Sequence, residues 1–244
     1  MRYAFLTVLI FAIACFGEPS FAATFSDWGA IVVAGDYRAH DGSDSQVFDD
    51  ARTDIGAELQ HIGIQSGNIA EFSVRPQLYS PAPMQSDPQT IGNGLWDVSN
   101  RTNGGCFVYF TSHGSPDGVV IGDGMISPDS MANMVSNSCG SRPTVVVISA
   151  CFSGVFVPTL AAPNRMILTA ARPDRTSFGC GQALRYTFFD ECFLQSMQSA
   201  HNFPAVATEI KSCVAAREVK EKMSPPSEPQ VYIGANAAAS LPTW

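Results

Sequence analysis

Two stretches decide the fold: Cys106–Thr111 (CFVYFT) followed by Ser112-His113-Gly114, and Thr144–Ala150 (TVVVISA) followed by Cys151-Phe152-Ser153-Gly154. Both are nearly unbroken apolar runs rich in β-branched and aromatic residues, too short for helices and without the polar alternation of a half-exposed sheet. They read as central strands of a parallel sheet, covered on both faces. Each run ends in a reactive side chain, His113 in one case and Cys151 in the other. In a parallel sheet both fall at the carboxyl edge of the strands, where open α/β folds bind their ligands.

Further strands read outward from this pair at Trp28–Gly35 (WGAIVVAG), Ile69–Val74, Arg165–Ala170 (RMILTA) and Val231–Gly234, which gives about six in all. Helix-length segments alternate with them, the pattern of an α/β protein with helices on both faces of a mainly parallel sheet. Asp44 or Ser45 caps a helix running to about Gly63. Ser127-Pro128-Asp129 opens a second, with proline at its first position. Later helices cover about 186–199 and, after Asn202, 204–222. The Pro- and Ser-rich stretch 79–88 and the segment 225–229 read as surface loops. No repeat or long linker divides the chain, and residues 23–244 are expected to form one domain.

The composition is that of a well-packed globular chain, with 45% hydrophobic and 15% charged residues. A net charge of −8 argues against a nucleic-acid partner, whose phosphates it would repel. At the amino end, Arg2 precedes an apolar run from Tyr3 to Ala14, followed by Glu18, Pro19 and the small-residue pattern Ser20-Phe21-Ala22. This predicts a signal peptide over residues 1–22 and an exported protein, periplasmic or secreted. A second exported reading makes Cys15 a lipidated residue, the one route by which membrane attachment is expected. Of seven cysteines, export leaves Cys106, Cys139, Cys151, Cys180, Cys192 and Cys213. An oxidising compartment permits disulfides, and a reactive Cys151 must stay out of them. At least one bridge is therefore expected among the other five, at most two, with one further thiol left over. Spacing does not fix the pairing.

Cys151 and His113 suit one chemistry in particular. A free thiol titrates near about 8.5, so it must be poised as thiolate to attack, and a nearby imidazole can stabilise the thiolate and protonate a leaving amine. Gly114, Ser153 and Gly154 leave room for a substrate chain and for inward-pointing backbone N–H groups that receive a developing oxyanion. No Cys-x-x-Cys or paired histidine spacing supports a metal site, and the glycines near Gly92 and Gly122 lack the strand-to-helix context of a dinucleotide site. No metal and no cofactor are expected. Asp49, Asp50 and Asp54 read as a solvated helix face, and His40, His61 and His201 as surface residues.

With their preceding strands, Ser-His-Gly at 112–114 and Ser-Ala-Cys-Phe-Ser-Gly at 149–154 resemble the legumain-type cysteine peptidases and, more distantly, caspases, gingipains and the transamidase subunit that attaches glycolipid anchors. Ile31–Gly35 (IVVAG) is similar to the family's first strand, and Leu168–Cys180 (LTAARPDRTSFGC) occupies the place where the family builds the wall of its primary specificity pocket. The bacterial exported branch fits best. The resemblance implies a caspase-like three-layer α/β/α sandwich, Cys151 as nucleophile, His113 as catalytic histidine, and the N–H groups of Gly114 and Cys151 as oxyanion hole. It further implies peptide or protein substrates, cleaved after Asn or Asp. Two places depart from the family: Tyr37 stands where legumains carry an Asn, and Val47 where they carry a basic residue. Asp36 for orientation and Arg38 for charge are the substitutes nearest to hand. Arg172, Thr176 and Ser177, in the loop after the fifth strand, complete the expected substrate contacts. Endopeptidase activity leads. A transpeptidase or transamidase would use the same pair, and a silent exported binding module is a third reading.

Overall fold

The computed structural model describes residues 24–244; the expected signal peptide over residues 1–22 and Cys15 lie outside them. In chain order the elements are β1 (Trp28–Ala34), α1 (Val47–His61), β2 (Ile69–Ser73), β3 (Met84–Gln85), α2 (Pro88–Asn100), β4 (Gly105–Thr111), β5 (Gly114–Ser115), β6 (Gly118–Ile121), β7 (Gly124–Ile126), α3 (Pro128–Cys139), β8 (Thr144–Ser149), α4 (Val157–Leu160), β9 (Arg165–Thr169), α5 (Phe188–Ser199), α6 (Phe203–Lys220), β10 (Gln230–Ile233) and α7 (Ala237–Ser240). Seven strands form the main sheet in the order β10-β9-β8-β4-β1-β2-β3. All neighbours are parallel except β10, which runs antiparallel to β9.

Every residue of β1, β4, β8 and β9 is buried, so successive side chains serve two different cores. Ala30, Val32, Phe107, Tyr109, Val145, Val147 and Leu168 face a core completed by α1, α5 and α6. Ile31, Val33, Val108, Phe110, Val146, Ile148 and Ile167 face the other, which includes Ile91 and Leu95 of α2 and Met131 and Val135 of α3. This is the three-layer α/β/α sandwich expected from the apolar runs. The expected six strands are present, and β3 adds a two-residue seventh.

Two disulfides close the layers. Cys106 of β4 joins Cys139 at the end of α3, with Cα atoms 6.0 Å apart, and Cys192 of α5 joins Cys213 of α6 at 5.7 Å. Among the described residues Cys151 and Cys180 keep their thiols, so the two bridges and one surplus thiol meet the cysteine expectation.

Several local readings need correction. The N-cap of α1 is Gln46, one residue after Ser45 and two after Asp44, and Ser45 Oγ accepts a hydrogen bond from the Val47 N–H at 3.2 Å. Asp49 does not belong to a solvated face. It is buried, accepts from Arg52 Nε at 2.9 Å and from Ser73 Oγ at 3.0 Å, and ties α1 to the end of β2. Helix α2 starts on Asp87, whose carboxylate accepts from the N–H groups of Gln89 and Thr90.

Candidate active site

The site grows from strand register. Thr111 of β4 pairs with Ser149 of β8, and His113 and Cys151 each stand two residues beyond, on the same edge of the sheet. The Ser112 N–H donates to the Ser149 carbonyl at 3.1 Å, which carries the pairing one step further. The two chains then come close together. A Cβ placed on Gly114 would lie 2.3 Å from the Cys151 carbonyl oxygen, so only glycine lets them approach. The sequence places glycine there for that reason.

Beneath this edge lies a buried carboxylate. Asp190, near the start of α5, is fully buried and accepts from Tyr109 Oη at 2.8 Å and Thr111 Oγ1 at 2.6 Å. Thr187 Oγ1 caps α5 through the Asp190 N–H at 3.0 Å and lies 3.2 Å from Ser149 Oγ. Burial pushes the Asp190 carboxyl above its usual range. The cluster locks α5 to the ends of β4 and β8, the strands that carry the reactive residues.

His113 is held from two sides. Its ring meets Phe48 of α1 edge-on, with centroids 5.2 Å apart. Its Nε2 lies 2.8 Å from the carbonyl oxygen of Arg38. A carbonyl can only accept, so Nε2 carries the proton and Nδ1 is left as the basic nitrogen of the neutral ring. The Arg38 carbonyl is itself fixed by Asp36. That buried carboxylate accepts from the N–H groups of Tyr37 (2.7 Å) and Arg38 (3.1 Å), from Arg38 Nε (3.0 Å) and from Arg38 Nη2 (3.2 Å).

Cys151 faces the loop after β9. Its Sγ accepts from the Ser177 N–H at 3.3 Å and lies 3.5 Å from the Ser177 carbonyl. The next residue, Phe152, has a left-handed backbone (φ 57°, ψ 10°), a conformation costing about 1–2 kcal/mol for a side-chain-bearing residue. Its N–H donates to the Arg175 carbonyl at 2.7 Å, so the sharp turn after Cys151 is tied to the loop that follows β9. Ser153 is buried, and its hydroxyl accepts from the Ala171 N–H at 3.2 Å.

A cavity of about 510 Å³ joins these parts; His113, Cys151, Thr176 and Ser177 all line it. The other anticipated contacts lie elsewhere. The carboxylate of Asp36 is spent on Arg38, and Arg172 pairs with Asp174 (3.0 Å) and Glu228 (3.2 Å). Cys180, the last residue of the stretch expected to build the pocket wall, also lines the cavity; sequence reading missed Leu184, Phe188 and Met223, which line it too. They come from a loop, a helix start and a distant turn, and no local spacing announces them. A separate cavity of about 490 Å³ beside α1 and α5, lined by Asp54, Glu58 and Tyr186 among others, includes neither Cys151 nor His113.

A layered α/β/α sheet with a thiol and an imidazole at paired strand ends is the architecture of the caspase-like peptidases. The insect caspase-1 of Spodoptera frugiperda shares this fold: its crystal structure superposes with a TM-score of 0.63 at 12% identity, covering 93% of this chain and 94% of that one. No curated protein matches the sequence. The model of the peptidase C13 family matches residues 81–233, a span that includes both His113 and Cys151. The chain belongs to the peptidase C13 family and is a cysteine peptidase, a hydrolase acting on peptide or protein substrates.

Proposed function

We propose that the chain is an exported endopeptidase that cleaves peptide bonds through Cys151 and His113 by way of an acyl-enzyme. The observation that carries this reading is the equal register of His113 and Cys151 beyond the paired residues Thr111 and Ser149. Supporting it is the hydrogen bond from His113 Nε2 to Arg38, which leaves Nδ1 to act as base.

In this mechanism the Cys151 thiol gives its proton to His113 Nδ1, and the thiolate attacks the carbonyl carbon of the scissile bond. The N–H groups of Gly114 and Cys151, carried on touching backbones, receive the oxyanion. The Phe152 N–H is occupied by Arg175 and is not available for that role. Collapse of the intermediate breaks the C–N bond as Nδ1–H protonates the departing amine. A water then gives a proton to Nδ1 and its oxygen to the acyl carbon, and Cys151 leaves as thiol.

Export rests on the apolar leader and on two disulfides, which persist in oxidising compartments. Among the described residues, no helix is long and apolar enough to cross a membrane. The expected preference for Asn or Asp finds no Arg or Lys among the described residues that line the cavity. The reading is tested by incubating the purified mature protein with a peptide library and identifying products by mass spectrometry. Cleavage that disappears in Cys151→Ala supports it; cleavage that persists in that variant overturns it.

A further inference from the structure

The cavity beside Cys151 is walled by carbon and sulfur. Phe178, Cys180 and Leu184 come from the loop after β9, Phe188 from the first turn of α5, and Met223 from the turn after α6. Each of these walls is fixed. Gly179 adopts φ +100°, and a Cβ there would press to 2.6 Å on the Phe188 N–H, so the loop folds flat against α5. The turn bearing Met223 is tied down through Glu218, a buried carboxylate that accepts from the Ser227 N–H at 3.1 and 3.2 Å and from the Ser227 hydroxyl. The Met223 N–H in turn donates to the Glu218 carbonyl at 2.9 Å.

No Arg, Lys, Asp or Glu is among the described residues lining this cavity. The nearby arginines of the two flanking loops are committed to carboxylates: Arg38 to Asp36 at 3.0 Å, and Arg175 to Asp174 at 2.9 Å. Of the polar side chains present, Ser177 lies against the Cys151 thiol, His113 Nε2 is engaged with the Arg38 carbonyl, and Thr176 and His40 stand exposed. A carboxylate entering such a space would lose its water without gaining a cation, and an amide would leave donors unpaired. An aliphatic or aromatic side chain loses nothing and buries its surface.

Resting on the peptidase reading above, we propose that the residue preceding the cleaved bond is a large apolar one, of the Leu, Met or Phe class, and that Leu184 and Met223 set this choice. The carbonyl attacked by Cys151 sits at Sγ, so the side chain of its own residue enters the space that Sγ borders. That space is this cavity.

The test uses matched peptides that differ only at this residue, Leu, Phe, Asn or Asp, in two assays. With the wild-type enzyme, kcat/KM for Leu or Phe should exceed that for Asp by about 100-fold or more, since a charge desolvated without a partner is rejected far more strongly than one methylene too few. Leu184→Ala and Met223→Ala should each reduce the Leu value by about 10-fold and lower the ratio of the Leu to the Asp value. With Cys151→Ala, binding of the same uncleaved peptides reads the pocket without turnover and should keep the order Leu and Phe above Asn and Asp. Turnover with Asn or Asp equal to or above Leu overturns the pocket assignment and leaves the peptidase reading standing. Absent turnover with the apolar binding order retained overturns the peptidase reading and supports the pocket. Absent turnover with no binding preference overturns both.

Discussion

His113 Nε2 lies 2.8 Å from the carbonyl oxygen of Arg38, and that carbonyl belongs to a turn organised by the buried carboxylate of Asp36. The contact sets the tautomer of the histidine. In the proposed mechanism this gives Asp36 a positioning role, exerted on His113 through the Arg38 backbone.

Removing the Asp36 carboxylate should therefore misplace the imidazole and leave substrate contacts alone. Asp36→Ala is expected to lower kcat by about 100-fold with KM little changed, the penalty of a misoriented catalytic group. Steady-state kinetics on one peptide substrate decides it. A rise in KM at constant kcat would return Asp36 to the substrate-binding role that the sequence suggested.

The disulfide pattern predicts a peptide map. Non-reducing digestion should yield Cys106 linked to Cys139 and Cys192 linked to Cys213, with Cys151 and Cys180 unlinked. Each bridge closes a loop of a few tens of residues, so replacing either pair by alanine should cost about 3–4 kcal/mol of stability on the chain-entropy account. Denaturant titration of the two double variants measures this.

Cys180 should be a slow thiol. Burial, and then the neighbouring Cys151, push its pKa above the ordinary thiol value, so less of it is thiolate at a given pH. Timed alkylation at pH 8 with mass-spectrometric readout should show Cys180 reacting more slowly in the folded protein than in the denatured one. Equal rates would contradict its packing against Ala34, Val47 and Phe48.

Asp87 gives a pH signature to α2. The Thr90 side chain, and then the N–H groups of Thr90 and Gln89, hold its carboxylate below the usual value of 3.8, so the ionised form is the stabilising one. Its contribution is complete above pH 3.8 and fades as the pH falls through the lower folded-state value. Asp87→Ala should cost about 1 kcal/mol at pH 7. The gap between wild type and variant should close on acidification; a gap independent of pH would mean that the cap acts without its charge.

The main sheet was legible because buried parallel strands must be apolar on both faces, and the runs ending in His113 and Cys151 show that without alternation. The small sheet of β5, β6 and β7 was not. Its strands run only from Gly114–Ser115, Gly118–Ile121 and Gly124–Ile126, too short and too rich in glycine to display a period. Helix α2 was hidden by Gly92 and Gly94, although Asp87-Pro88 is a sound start signal; a side chain at Gly94 would strike the Phe72 ring at 2.4 Å, so packing overrides propensity there. Asp36 and Arg38 were found as candidates for orientation and for charge, but not as partners of one another, since sequence offers two opposite charges and not the geometry that joins them. The apolar cavity depends on Leu184 and Met223 meeting across some forty residues of chain, a tertiary fact with no local trace.

The central claim is that the Cys151 thiolate is the attacking group and that His113 serves it. The most direct measurement is the mass of the intact protein after reaction with a peptidyl acyloxymethyl ketone, in wild type, Cys151→Ala, His113→Ala and Ser153→Ala. We expect one adduct on the wild type, located at Cys151 by digestion, none on Cys151→Ala, and labelling on His113→Ala slowed by about 100-fold or more. Ser153→Ala should label like the wild type, because that hydroxyl is buried and accepts from the Ala171 N–H. An adduct retained in Cys151→Ala and lost in Ser153→Ala would contradict the account.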